Sequence, residues 1–173
     1  MLAVPEDAGK GMLITIVSAL ILTCAACGED IERLGGVNEP PVWLGVPARA
    51  QGAATDSLFE AGMAAYQEGQ WWIAADALER VLAAGADPLP TGFFLGASRL
   101  MAGQPEAAAE ALEAVIARGD SPYLGEARYF RAKALLLLRR ADDALVELDA
   151  ASSQGGAIGE TAIALADSVR SLR

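Results

Sequence analysis

From Asp56 to the end of the chain, apolar residues recur every three or four positions, the spacing that gives a helix one apolar stripe. Leu58, Phe59, Ala61, Met63 and Tyr66 form the first stripe, which Asp56 or Ser57 can cap and Gly69 closes. The same reading predicts helices over about 71–84, 91–102, 105–117, 122–138, 141–151 and 157–172, with Pro105 and Pro122 opening two of them. Nothing in this stretch alternates with the period of two that a half-buried strand requires.

The stripes repeat. Tyr66 to Leu78 lines up with Leu100 to Leu112 at an offset of 34 residues, Gly69 onto Gly103 and Ala74 onto Ala108. A third copy follows through Leu135 to Leu148, with Ala144 standing 36 residues after Ala108. A period of this length marks a helix-turn-helix unit stacked on itself, an architecture that builds surfaces rather than reaction centres. The expected fold is therefore all-α: a solenoid of about three helix pairs over 56–173. Its final helix presents Ile158, Ala162, Leu165, Val169 and Leu172 as a single stripe that closes the open end.

Composition narrows the function classes. A net charge of −10 disfavours gripping a phosphate backbone, so no nucleic-acid partner is expected. Histidine is absent, which removes Ser-His-Asp and Cys-His catalysis and the commonest metal ligand. Cys24 and Cys27 lie outside the helical part, so neither a metal site nor a cofactor is expected in the domain. No carboxylate pair has an apolar setting suited to acid-base work, and the chain is not expected to be an enzyme.

Residues 1–27 form a separate region. Gly11 to Cys27 carries no charge, follows Lys10 and precedes Glu29-Asp30, as a signal peptide or membrane anchor helix would. As a helix it would be roughly 25 Å long at about 1.5 Å per residue, against a hydrocarbon core of about 30 Å. Cys24-Ala25-Ala26-Cys27-Gly28 resembles the lipobox of bacterial lipoproteins, which makes Cys27 the candidate lipidation site. Thr23 before Cys24 fits that resemblance less well, and Cys24 stands where an aliphatic residue is usual. An uncleaved single-pass anchor and an ordinary cleavable signal are the other readings. Each places the rest of the chain on the extracytoplasmic side of a bacterial envelope, attached to the membrane in the first two.

Between the two regions, residues 28–55 contain Gly35-Gly36, Pro40-Pro41, Pro47 and Gly52, which forbid a continuous helix and predict a flexible tether. Val42-Trp43-Leu44-Gly45-Val46 is an apolar knot within it, suited to docking on the chain's own first repeat or on a partner.

The repeat resembles the tetratricopeptide family over roughly residues 56–153. Small residues carry the resemblance: Gly62, Gly96 and Ala132 in the first helices, and Ala74, Ala108 and Ala144 in the second. Leu78, Leu112 and Leu148 fill the space between, with Val81, Val115 and Ala151 closing each unit. The copies are degenerate. Leu58 and Ala65 replace the usual aromatics of the first copy, the closing proline is displaced to Pro88, and Arg139 stands where a turn glycine is expected. The resemblance implies a concave face, lined by the first helices, that holds a peptide of another protein. By position that face would show Phe59, Met63 and Tyr66, then Phe93, Ala97 and Leu100, then Tyr129, Lys133 and Leu136. Aromatics at helical spacing also serve as plain core.

Arg128, Arg131, Lys133, Arg139 and Arg140 form a basic cluster that could hold a partner's carboxylates or pair with Asp142 and Asp143. Glu106, Glu110 and Glu113 read as a solvated face. The expected function is a membrane-tethered protein-protein interaction scaffold or adaptor in the envelope. A single-pass sensor whose outer repeats resemble those of anti-sigma-type regulators is the alternative.

Overall fold

The computed structural model describes residues 29–37, 39–42 and 53–173, all of the regular structure among them helical. Residues 29–34 form a short helix, α1. The repeats follow as α2 (Ala53–Gln67), α3 (Trp71–Ala83), α4 (Pro88–Met101), α5 (Pro105–Ile116), α6 (Leu124–Leu137) and α7 (Ala141–Ser152), closed by α8 (Gly156–Ser171). Each helix from α2 to α8 packs on its neighbours in the chain, as a linear stack requires. Cys27 and the apolar segment 11–27 lie outside the described residues, as does the knot beyond Val42. Among the described residues no helix is long and apolar enough to cross a membrane.

The repeat register explains the packing. Ala74, Ala108 and Ala144 are all inaccessible to solvent, as are Leu78, Leu112 and Leu148 four residues later. Each of those leucines contributes about 1.5–3 kcal/mol by leaving water. The facing positions on the first helices must be small. A Cβ on Gly62 would lie 3.1 Å from that of Ala77, and one on Gly96 only 2.6 Å from Leu112 Cγ. The third copy accepts Ala132 at this place, fully buried.

Turns repeat too. Gln70, Gln104 and Arg140 donate their backbone N–H groups to Ala65, Arg99 and Leu135, each at 2.8 Å, closing the same six-residue cap. That cap needs a left-handed residue just before, and Gly69 (φ 75°) and Gly103 (φ 74°) supply it. In the third copy Arg139 takes the same conformation at φ 58°. An L-residue there costs about 1–2 kcal/mol, so the turn is imposed by the packing on either side.

Three details differ from the sequence expectation. α2 begins at Ala53, which leaves Asp56 within the first turn and directs the Ser57 hydroxyl to the Ala53 carbonyl (3.0 Å) instead of to an N-cap. α4 begins at Pro88, because Asp87 accepts from the Leu89 N–H at 3.0 Å and prolines fit a first turn. On α8 the buried residues are Gly159, Ala162, Ala166 and Val169, a stripe rotated toward small residues so that α8 can lie close to α7. Arg170 to Asp149 and Arg173 to Asp142, both at 2.6 Å, tie the same two elements from outside.

Candidate functional site

The face built by the first helices α2, α4 and α6 is unevenly open. α4 is buried on every side from Pro90 to Ser98. Phe93 packs on Phe94, Tyr123 and Phe130 with ring centroids 5.2, 5.2 and 6.1 Å away, so it ties α4 to α6 as core. Phe59, Met63, Tyr66, Ala97, Leu100 and Leu136 are also buried. These seven, expected from the sequence to line an open groove, are closed off as part of the core.

Tyr129 and Lys133 differ, being half-buried, and Tyr66, though buried, turns its hydroxyl to a segment outside the repeats. Tyr129, Lys133 and Leu137 lie at successive i, i+4 positions on α6, each half-buried. Across this stripe runs the segment that follows α1. Lys133 Nζ donates to the carbonyl oxygens of Gly36 (2.6 Å) and Leu34 (3.3 Å) and sits 5.6 Å from the centre of the Tyr129 ring. Desolvation holds the Lys133 ammonium below its ordinary pKa, and the two carbonyls stand in for lost water. Further along, Tyr66 Oη donates to the Pro41 carbonyl at 2.9 Å. Burial, with Glu126 adding to it, pushes the Tyr66 phenol well above its usual range and keeps the hydroxyl a donor.

Gly35 fixes the depth of this docking. A Cβ there would lie 2.7 Å from the Lys133 carbonyl oxygen and 2.8 Å from both Leu137 N and Cγ, so only glycine allows the segment to touch the α6 backbone. Ile31 and Leu34 pack against the cluster around Ala132, Leu135 and Leu136, Val37 packs against the main core, and Glu32 pairs with Arg139 at 3.2 Å. The described part of the 28–55 tether is thus seated on the repeats. Of its paired glycines, which argued for flexibility, Gly35 serves close approach instead. Sequence reasoning passed over Glu32 and Leu137 and read Gly35 and Pro41 only as breaks in a tether; the local signal was Ile31 and Leu34 at helical spacing beside Gly35-Gly36.

The basic cluster is consumed internally. Glu147 on α7, almost wholly buried, accepts from Arg128 (3.0 Å) and from Arg131, which also reaches Glu113 on α5 at 3.1 Å. Arg140 pairs with Asp143 at 2.7 Å. Of the cationic groups in the cluster, Lys133 alone meets backbone carbonyls of another segment instead of a carboxylate. Among the described residues no group of His, Cys, Asp and Glu could hold a metal ion.

The stack has counterparts among solved structures. The Yersinia enterocolitica type III secretion chaperone SycD, solved with a peptide of the translocator YopD, superposes with a TM-score of 0.60 at 16% identity. The match covers 70% of this chain and 94% of that one. PcrH, solved with the chaperone binding region of PopB, gives a TM-score of 0.56 at 19% identity, covering 73% and 99%. The fold is tetratricopeptide-like. No family model matches the chain, and no curated protein matches it in sequence.

Proposed function

We propose that this protein is a tetratricopeptide-like adaptor that binds an extended segment of another protein along the exposed side of α6 and the end of α2. The observation that carries the reading is the docked segment itself: Lys133 and Tyr66 donate to three backbone carbonyls of a non-repeat stretch, which is how a surface reads a peptide irrespective of its side chains. The likeness of fold to SycD, a chaperone solved with a translocator peptide, and to PcrH, solved with the chaperone binding region of PopB, supports it by analogy. The protein acts by equilibrium binding and is not an enzyme.

The apolar stretch 11–27 and Cys27 support attachment to a membrane on the extracytoplasmic side, where the tethered repeats would meet their partner. Lipid labelling of wild type and Cys27→Ala tests this part: label that survives the substitution excludes Cys27 as the anchor. Peptide binding is tested on an array of extended peptides probed with the full-length protein. Binding should fall at least about tenfold in Lys133→Glu, with helicity unchanged. Array signals indifferent to Lys133→Glu and to Tyr129→Ala would place recognition elsewhere and refute the assignment.

A further inference from the structure

We propose that residues 29–37 and 39–42 are an internal copy of the ligand, and that the partner is a peptide of the same chemistry which displaces them. This inference rests on the peptide-binding reading above and specifies its occupant.

The contacts define what the face selects. Two aliphatic side chains at i and i+3, Ile31 and Leu34, meet the cluster around Leu135 and Leu136. A glycine must come next, since any Cβ at position 35 would collide with the α6 backbone. A third aliphatic, Val37, follows on the main core, and an acidic residue in the preceding turn meets Arg139. Lys133 then reads the carbonyls on either side of the glycine, at Leu34 and Gly36. The matching partner is a short helical turn of the form aliphatic-acid-x-aliphatic-Gly-x-aliphatic that runs on into extended chain. A downstream carbonyl is held by Tyr66, as Pro41 is here.

Because the internal copy is covalently attached, its effective concentration is of millimolar order, and a free peptide of equal intrinsic affinity competes poorly. Release of the segment should therefore raise affinity for added peptide. Such a device makes the adaptor answer only to partners that bind better than its own segment.

The test titrates a fluorescein-labelled synthetic peptide of residues 29–42 into the full-length protein, followed by anisotropy. Gly35→Ala, which lies outside the repeats, should bind it at least about tenfold more tightly than wild type. Glu32→Arg, which repels Arg139, should act in the same direction by an independent route. Adding Lys133→Ala to Gly35→Ala should abolish the gain. Equal affinity in wild type and both releasing variants, or a gain that ignores Lys133→Ala, overturns the proposal. Array peptides that bind wild type and Gly35→Ala equally would overturn the internal-ligand inference while leaving the adaptor intact. The 29–42 peptide binding to Gly35→Ala, with no array peptide binding any variant, would support the internal contact and refute the adaptor.

Discussion

The second helix pair, α4–α5, and the third, α6–α7, share one packing pattern and use it differently. In the second, α4 is enclosed from Pro90 to Ser98, a glycine sits at the crossing, and rings from two elements meet over Phe93. In the third, alanine replaces that glycine, Arg139 takes the turn, Arg128 and Arg131 hold a buried carboxylate, and Tyr129, Lys133 and Leu137 stay accessible along one side. The central unit of a stack is spent on its two neighbours. Binding chemistry is found where a unit departs from the shared pattern.

The largest expected effect breaks the third pair. Glu147→Ala leaves two guanidinium groups without their shared carboxylate, and Arg131 is mostly buried. We expect a loss of about 2–3 kcal/mol in urea unfolding, below the value for a fully enclosed pair because Arg128 is 26% exposed. Next come reciprocal substitutions at the crossing. Gly96→Ala drives a methyl into Leu112 and should cost about 1–2 kcal/mol after its gain in helix propensity. The opposite change in the third pair, Ala132→Gly, should cost about 1 kcal/mol through backbone freedom alone. Equal and opposite effects at the two sites would mean that the crossings are interchangeable and that neither is fitted to its own residue.

Arg139→Gly should stabilise the protein by about 1 kcal/mol, since relief of the left-handed strain outweighs an exposed ion pair with Glu32. An unchanged midpoint would show that Arg139 makes up its strain through Glu32. The smallest effect concerns Glu126, whose carboxyl is raised above its usual value of 4.5 by desolvation. A group raised in the folded state contributes stability that is full below its unfolded pKa and lost as pH rises through the folded one. Glu126→Gln should therefore match or exceed wild type at pH 7, and wild type should gain on it as pH falls toward 4.5.

Much of this architecture was legible because a stack repeats its packing constraints. Ala74, Ala108 and Ala144 announce the crossings, and Leu78, Leu112 and Leu148 the layers between, since each must satisfy the same local geometry. The binding face was only partly legible. Position alone nominated Phe59, Met63, Phe93 and Leu136, yet whether a residue on the inner side of a helix touches solvent depends on how near the next helix comes, and periodicity does not encode that distance. The docked segment was hidden for a different reason. Gly35-Gly36 means a flexible break when nothing lies beside it and a contact point when another backbone does, and the neighbour, Leu137, stands about a hundred positions away.

The central claim is that the α6 stripe holds peptide backbone and that residues 29–37 and 39–42 hold the place in its absence. Amide hydrogen exchange on full-length Gly35→Ala, with and without a peptide selected from the array, tests it most directly. The account predicts fast exchange across 29–37 in the free variant, and new protection in α6 around Tyr129 to Leu137 when peptide is added. Protection that appears instead on the cleft lined by Glu79, Leu95 and Arg118, with α6 unchanged, would contradict it.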